Sequence, residues 1–462
     1  MGRLDPFGGV MAQFVWFDAG PSVAGRLLLV LHHLVVDGVS WRVLLPDLAA
    51  AWVRVCSGGE VVLPGVGTSV RRWAHALAEE ACGELRVGEL GRWEEVLRGS
   101  DVVVGWRRPD PVVDTMGTLD SVRVEVPVGV TEVLLTRLPA VFRGGVNDGL
   151  LAALVMAVAK WRPGGGSSLL VRLEGHGREE VVVPGADLSR TVGWFTSMFP
   201  VRLEVAGFDL EEAFAGGDAA GAVVKAVKEQ LLAVPDKGVG YGLLRYLNGA
   251  AGRVLGAYPE PQVGFNYLGR FSASDMPEEL RGVGFGQVLE WDDGGGVFDA
   301  DMPVLSALEI NSFVADRGRG PCLEAVFGFP SGVLGREDVA GLAGWWRAAL
   351  TALAGHVGGP GAGGLTPSDL PLVRVGQGRI LGWERVCPGL VDVWPLTPLQ
   401  SGLLFHSRFT DAPVDAYQVQ LVFHLSGVVD AGRMRAAGQA LLDRHATLRS
   451  AFHPDADGWV QL

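Results

Sequence analysis

Cysteine and positive charge are both scarce in this chain of 462 residues. Only 4 cysteines occur, and none forms a CxxC pair. This spacing argues against a zinc site or a disulfide framework and fits the reducing cytoplasm, the location that we expect. The formal net charge is -13, with no basic stripe to offset it. Nucleic acid is therefore not an expected partner.

Long apolar runs are missing as well. The longest, Leu27–Leu31 and Leu150–Ala159, are too short to cross a bilayer, so a membrane is not an expected partner either. The chain instead has 48% hydrophobic and 20% charged residues, a balance typical of globular proteins. Its length exceeds one ordinary hydrophobic core, which predicts two or three folded units.

Predicted strands alternate with predicted helices. The run Arg26–His32 is apolar and of strand length, and Val39–Trp52 has apolar residues at helical spacing. This alternation predicts an α/β fold, with mixed helices and strands in two layers. Further strands are predicted at Ser121–Val126, Leu169–Leu173, Gln262–Tyr267, Ser306–Val314 and Leu323–Phe329, and further helices at Asn147–Trp161, Ala222–Val234 and Val339–Leu353.

Glycine and proline mark the predicted boundaries. Two prolines and several charges at Gly105–Asp114 indicate a lobe boundary. Glycine dominates Gly355–Gly364, where a stable element would cost much backbone entropy. We therefore predict one lobe over residues 1–113, a second lobe over 114–354, a linker over 355–390 and another unit over 391–462. That last unit, of about 70 residues, is too short to close a large core alone.

Two adjacent histidines follow the first predicted strand. His32 and His33 begin the segment HHLVVDG, which continues to Asp37. Because neighbouring strand residues point to opposite faces, one histidine can reach a cleft while the other is buried. Histidine exchanges protons near neutral pH, and the aspartate could orient a ring or anchor the loop. From the spacing alone, two core histidines beside a turn are an equally good interpretation.

A second polar segment, Glu174–Glu179, follows the strand predicted at Leu169–Leu173 and has the sequence EGHGRE. Its glycines allow a tight bend and a close approach to a ligand. Glu174, at the strand end, could act as an acid or a base if burial raised its pKa. A surface turn is the commoner interpretation of such a segment in isolation.

Three further segments combine aromatic and small residues. TVGWFTSMFP at Thr191–Pro200 could line a channel, although core packing is the default interpretation. GVGYGLLRY at Gly238–Tyr246 lacks the Lys-Ser/Thr ending of a phosphate loop. In FNYLG, Asn266 and Tyr267 could hydrogen-bond a substrate carbonyl or simply close a strand end.

Taken together and in this order, these segments resemble the signature motifs of epimerization domains of nonribosomal peptide synthetases. The matching segments are HHLVVDGVSWRVLL, EGHGRE, TVGWFTSMFPVRL, GVGYGLLRYL and FNYLG, and the resemblance spans about Leu4 to Val373. Condensation domains share HHxxxDG, but VSW at Val39–Trp41 and EGHGRE favour epimerization. The resemblance implies the two-lobed, chloramphenicol-acetyltransferase-like fold of the condensation and epimerization superfamily, with a tunnel between the lobes.

The resemblance also implies a reaction, the L to D inversion at the α-carbon of an aminoacyl or peptidyl thioester. His33 and Glu174 are the implied catalytic pair, one from each lobe. Asp37 is expected to be structural and paired with an arginine, for which Arg178 is the candidate, and His32 is expected to be buried scaffold. The remaining supporting or substrate-binding candidates are Gly38, Ser40, Trp41, His176, Asn266 and Tyr267.

No metal and no directly bound cofactor are implied, since the phosphopantetheine arm arrives on an upstream peptidyl carrier protein domain. The tail segments Val393–Ser407 and Arg444–Phe452 resemble the opening blocks of a condensation domain, which implies a downstream condensation module. Only 31 residues precede His32, so we expect an epimerization domain truncated at its N-terminus. Two alternatives stay open: a condensation domain that forms peptide bonds, and an inactive fragment that only binds carrier protein.

Overall fold

A computed structural model describes residues 4–99, 101, 103–162, 168–271, 298–316, 320–409, 417–455 and 458–462. The chain divides into two compact units, Met1–Ala362 and Gly363–Leu462. Each unit contains both helices and strands. The predicted mixed α/β class is therefore confirmed.

A small antiparallel sheet opens the first unit. Strands β1 (Ala12–Phe17) and β2 (Arg26–Leu31) pair in register from Ala12 opposite Leu31. The strand predicted at Arg26–His32 thus ends one residue early. The two histidines lie beyond it, and His33–Val35 forms a 3₁₀ turn. The alternation of strand faces therefore does not decide which histidine reaches the cleft.

A larger mixed sheet of six strands forms the centre of the first unit. Its strands are β3 (Leu119–Val126), β4 (Ser168–Gly175), β5 (Ser197–Glu204), β6 (Val263–Phe271), β7 (Leu308–Asp316) and β8 (Pro321–Pro330). Their order is β3-β8-β7-β6-β4-β5, in which β6 runs parallel to both β4 and β7 while the other pairs are antiparallel.

Helices pack against this sheet in the main core. From Asp148 to Val158 every residue of one helix is buried, because that helix packs with another, which contains Trp346, in the main core. The indole of Trp346 donates a hydrogen bond to the carbonyl of Leu150 at 3.2 Å. The helices of this unit are α1 (Gly38–Cys56), α2 (Val70–Glu80), α3 (Glu84–Gly88), α4 (Leu90–Leu97), α5 (Val128–Glu132), α6 (Leu138–Phe142), α7 (Val146–Trp161), α8 (Leu210–Phe214), α9 (Asp218–Leu232), α10 (Val239–Gly242), α11 (Gly249–Leu255) and α12 (Arg336–Gly358).

Among the described residues, no single helix is both long and apolar enough to cross a membrane. The bent pair Val128–Phe142 and Val146–Trp161 meets the requirement only when its two parts are taken together.

The second unit has its own small core. It contains α13 (Gln377–Val386), α14 (Pro398–Phe409) and α15 (Ala431–Arg444), with a sheet of three short strands, β9 (Trp394–Pro395), β10 (Phe452–Asp455) and β11 (Gly458–Gln461). The buried side chains of this core are Leu365, Leu370, Ile380, Trp383, Val393 and Val460.

The predicted linker 355–390 is more ordered than expected. Helix α12 continues through Gly358, and α13 lies inside the predicted linker. The buried side chains of Leu353 and Val357 anchor the end of α12 in the main core. Their burial offsets the entropic cost of the glycines beside them.

Candidate active site

The turn after β2 presents His33. The Nδ1 atom of His32 accepts a hydrogen bond from the backbone N–H of Leu34 at 3.2 Å, which closes the 3₁₀ turn. His33 is exposed, and its ring centroid lies 5.2 Å from that of Trp194 at a tilt of 56°. His32 is half-buried rather than fully buried, because its ring remains at the surface to cap the turn.

Asp37 is held by several donors and accepts hydrogen bonds from two distant parts of the chain. One carboxylate oxygen caps α1 by accepting from the backbone N–H of Ser40 at 2.7 Å. The other accepts from the backbone N–H of Phe195 at 3.1 Å. The Ser40 hydroxyl also lies 2.8 Å from Asp37 Oδ1 and accepts from the N–H of Gly193 at 3.1 Å. Asp37 thus ties the start of α1 to the TVGWFTSMFP segment.

Arg178 completes this network. Its Nη2 atom lies 2.9 and 3.1 Å from the two carboxylate oxygens of Asp37, and both side chains are buried. Its Nη1 atom donates to the carbonyl of Thr191 at 2.9 Å, and its guanidinium stacks on the ring of Phe195 at 4.1 Å. The predicted pairing of Asp37 with an arginine, and the choice of Arg178, are confirmed.

Gly177 explains the glycines of EGHGRE. Its φ is +66°, in the left-handed region that favours glycine. A Cβ atom at this position would overlap the carbonyl oxygen of Phe195. The loop after β4 therefore lies directly against the backbone of the TVGWFTSMFP segment, and Arg178 reaches Asp37 from there.

Glu174 is the second-last residue of β4. Its Oε2 atom accepts a hydrogen bond from the side-chain amide of Asn266 on β6 at 2.9 Å. Glu174 is exposed to solvent, but nearby protein atoms partly desolvate its carboxylate. This desolvation raises the pKa of Glu174, as does the Glu309 carboxylate, while Arg172 and His33 lower that pKa.

The charge of His33 lowers the pKa of Glu174, so the two side chains lie within electrostatic range of each other. They come from different parts of the unit, since His33 follows the small sheet and Glu174 belongs to the large one. In the described contacts, Glu174 accepts one hydrogen bond and His33 makes a ring contact with Trp194, and neither side chain forms an ion pair. Both therefore keep lone pairs or protons that a substrate can use.

Several of the other predicted site residues have their contacts away from His33 and Glu174. Tyr267 follows Asn266 on β6 and so points to the other face, where it packs against the main core. His176 accepts from the N–H of Arg178 at 3.0 Å and lies 3.3 Å from Glu179, both within its own loop. Gly38 is an exposed residue at the start of α1, and Trp41 is half-buried in its first turn.

Sequence reasoning missed two neighbours of the pair. Trp194 is 51% exposed beside His33, whereas Phe195 and Phe199 of the same segment are buried. The channel interpretation of TVGWFTSMFP therefore fits one of its aromatics and core packing fits the others. Arg172 was missed because it lies within an apolar run, although it precedes Glu174 by two residues on the same strand. Among the described residues, no group of three His, Cys, Asp or Glu side chains could hold a metal ion.

Known proteins are similar to this chain in sequence. A family model described as the condensation domain matches residues 22–293 and 391–462. The chain is 37% identical over 446 residues to a component of the linear gramicidin synthase of Brevibacillus parabrevis, covering 96% of this chain and 5% of that protein. It is 33% identical over 348 residues to tyrocidine synthase 1 of the same organism, covering 74% of this chain and 30% of that protein. The chain thus spans only a small part of these relatives.

Solved structures share its fold. The epimerization domain from the third module of tyrocidine synthetase B is 28% identical, with a TM-score of 0.62, and the match covers 76% of this chain and 72% of that one. The X-domain in its complex with OxyB from teicoplanin biosynthesis is 17% identical, with a TM-score of 0.50, over 76% of this chain and 71% of that one. The fold is the chloramphenicol-acetyltransferase-like fold of these domains. With most of its length matched by the family model, the chain belongs to the condensation domain family.

Proposed function

We propose that this domain epimerizes the α-carbon of an aminoacyl or peptidyl thioester during nonribosomal peptide synthesis. The observation that carries the proposal is the pair of His33 and Glu174, two exposed proton-exchanging groups within electrostatic range of each other, one in the turn after the small sheet and one on the large sheet. The likeness to the epimerization domain of tyrocidine synthetase B supports it.

The reaction needs two proton transfers. A thioester makes its α-proton more acidic than an amide does, yet a positioned base is still required, worth roughly a 10²–10⁴-fold gain in rate. One group of the pair takes the proton, the electron pair moves onto the thioester oxygen, and a planar enolate results. The other group then delivers a proton to the opposite face, so that His33 and Glu174 act from two sides of the α-carbon.

Asn266 has a supporting role in this scheme. Its side-chain amide carries two hydrogens, of which one goes to Glu174 Oε2. The second can donate to the enolate oxygen, where negative charge develops. Glu174 would then be oriented, and the enolate stabilised, by the same side chain.

The substrate in this proposal is tethered rather than free. The thioester is carried on the phosphopantetheine arm of an upstream peptidyl carrier protein domain, and a downstream condensation module accepts the product. The domain itself holds no cofactor in the scheme, because the His33 and Glu174 side chains supply every proton that moves.

The deciding experiment separates epimerization from condensation. A phosphopantetheinylated carrier protein loaded with an L-aminoacyl thioester is mixed with the full chain in deuterated water, and mass spectrometry follows the α-position. Deuterium uptake together with the D-isomer supports the proposal. Amide formation with an added aminoacyl carrier, without deuterium uptake, would instead identify a condensation domain. The HHxxxDG segment and the matching family model support this alternative. If neither deuterium uptake nor amide formation occurs, the chain is a fragment that only binds carrier protein.

A further inference from the structure

An ion pair crosses a strand directly beneath Glu174. Arg172 on β4 is in register with Gly264 on β6, and Gly264 is in register with Glu309 on β7. The guanidinium of Arg172 nevertheless bonds the carboxylate of Glu309 over the intervening strand. The two charged side chains therefore meet above a strand that lies between their own.

Gly264 makes this crossing possible. A Cβ atom there would overlap the carboxylate of Glu309. Any residue other than glycine would therefore push the pair apart or lift it off the sheet. The absence of a side chain at Gly264 is a requirement of the ion pair and not of the backbone, since its φ lies outside the left-handed region.

Neighbouring groups hold the pair in one geometry. The hydroxyl of Ser306 donates to Glu309 Oε1 at 2.6 Å. The second guanidinium nitrogen of Arg172 lies 3.5 Å from the carbonyl oxygen of Leu305. Arg172 is buried and Glu309 is half-buried, so water screens their charges less than it would at the surface.

The pair lies within electrostatic reach of Glu174. Arg172 precedes Glu174 by two residues on β4, so the two side chains share one face of the sheet. The charged and titratable groups that act on Glu174 are Arg172 from its own strand, Glu309 from β7 and His33 from the turn after β2.

The two strands that flank β4 add no titratable group at this position. Met198 on β5 is in register with Glu174, and Asn266 on β6 donates a hydrogen bond to it. His176, in the loop after β4, is bonded within that loop. Among the residues that the structure describes, Arg172, Glu309 and His33 are therefore the charged groups that act on Glu174.

We propose that Arg172 and Glu309 are positioning residues, whose ion pair across Gly264 sets the charge that Glu174 meets without touching the substrate. The inference rests on the proposed role of Glu174 as a proton-exchanging group. The two members of the ion pair shift the protonation of Glu174 in opposite directions. Glu309 favours the neutral form of Glu174, and Arg172 favours the carboxylate.

The test removes one charge at a time. Glu309→Gln keeps the shape and leaves Arg172 uncompensated, so the titration midpoint of Glu174 falls. Arg172→Met leaves the Glu309 carboxylate uncompensated, so that midpoint rises. A unit charge removed at this range shifts the midpoint by about half to one pH unit. In the double variant Arg172→Met/Glu309→Gln, the titration midpoint of Glu174 should lie between those of the two single variants.

The midpoint is measured in two ways. The pH profile of α-deuterium exchange, with the loaded carrier protein as the probe, reports it through activity. Difference infrared spectroscopy of the full chain with ¹³C-labelled glutamate, assigned by Glu174→Gln, reports it directly. Opposite shifts in the two single variants support the inference, because loss of structure alone would not reverse sign. Shifts of the same sign, or none, overturn it.

The two measurements keep this inference apart from the proposed function. If the unaltered chain shows no exchange, the proposed epimerization fails, while the infrared titration still decides whether the ion pair acts on Glu174. Gly264→Ala gives a third comparison, since separating the pair with a methyl group should also displace the midpoint. Arg172→Lys, which keeps the charge, should restore the midpoint of the unaltered chain to within about 0.3 pH units.

Discussion

Asp37 and Glu174 are two carboxylates of one site with opposite surroundings. Asp37 is buried and accepts bonds from Ser40, Phe195 and Arg178, so its oxygens are saturated. Glu174 accepts one hydrogen bond in the described contacts, from Asn266, and water reaches it. A saturated carboxylate fixes segments of the chain, whereas an open carboxylate can exchange a proton. The contrast supports a structural role for Asp37 and the proton-exchanging role that we propose for Glu174.

Glu174→Gln should have the largest effect on this contrast. We expect α-deuterium exchange to fall by about 10²–10⁴-fold, because one of the two proton-transfer groups is lost. The unfolding temperature should stay close to that of the unaltered chain. Exchange assays and thermal unfolding monitored by circular dichroism measure the two quantities. Exchange at an unchanged rate would remove Glu174 from the mechanism.

Asp37→Asn should act on stability instead. The amide can still cap α1, but the buried charge of Arg178 loses its partner, which we expect to cost about 3–5 kcal/mol of unfolding free energy. Urea unfolding measures this cost.

Asp47→Asn is the matched control for Asp37→Asn. Asp47 pairs with Arg190, but both side chains are partly exposed, so the loss should be below about 1 kcal/mol. If Asp37→Asn abolished exchange while stability was unchanged, Asp37 would have a chemical role.

Asn266→Ala should have a smaller effect on exchange than Glu174→Gln. Removing its amide leaves Glu174 without the hydrogen bond from β6, and we expect exchange to fall about tenfold, equivalent to one moderate hydrogen bond. Folding stability should hardly change. Asn311→Ala, on β7 opposite Asn266, is the control and should leave exchange within about twofold. Equal losses in both variants would contradict a specific role for Asn266.

The smallest expected effect is on the pH dependence of stability. Desolvation raises the pKa of Glu174 in the folded chain, so folding disfavours its charged form. The destabilisation is absent below the pKa of an unfolded glutamate and grows as the pH rises through the folded pKa. Glu174→Gln should therefore be slightly more stable at neutral pH, by less than about 1 kcal/mol because water reaches the carboxylate, and this gain should vanish at low pH.

Much of this site follows from local sequence. The apolar run before the histidines predicts the strand that leads into them, and the apolar run before Glu174 predicts the strand that carries it. The helices α7, α9 and α12 lie within a few residues of their predicted positions. Periodicity works here because each element buries one continuous face or is buried on all sides.

Register is what the sequence does not show. Arg172, Gly264 and Glu309 are far apart in the chain, and only the strand order places them in one row. The small strand β1 was also missed, because Ala12–Phe17 has no clear alternation and is largely exposed. Local patterns thus locate candidate residues, while the sheet decides which of them share a face.

The strand order of the large sheet also has a consequence for synthesis on the ribosome. Thr131, just after β3, accepts a hydrogen bond from Leu323 on β8, 192 positions later in the chain. At about 5–20 residues per second, β3 emerges roughly 10–40 s before the strand that pairs with it. During that interval the backbone groups of β3 have no partner strand. A chaperone that covers this strand would act in that interval.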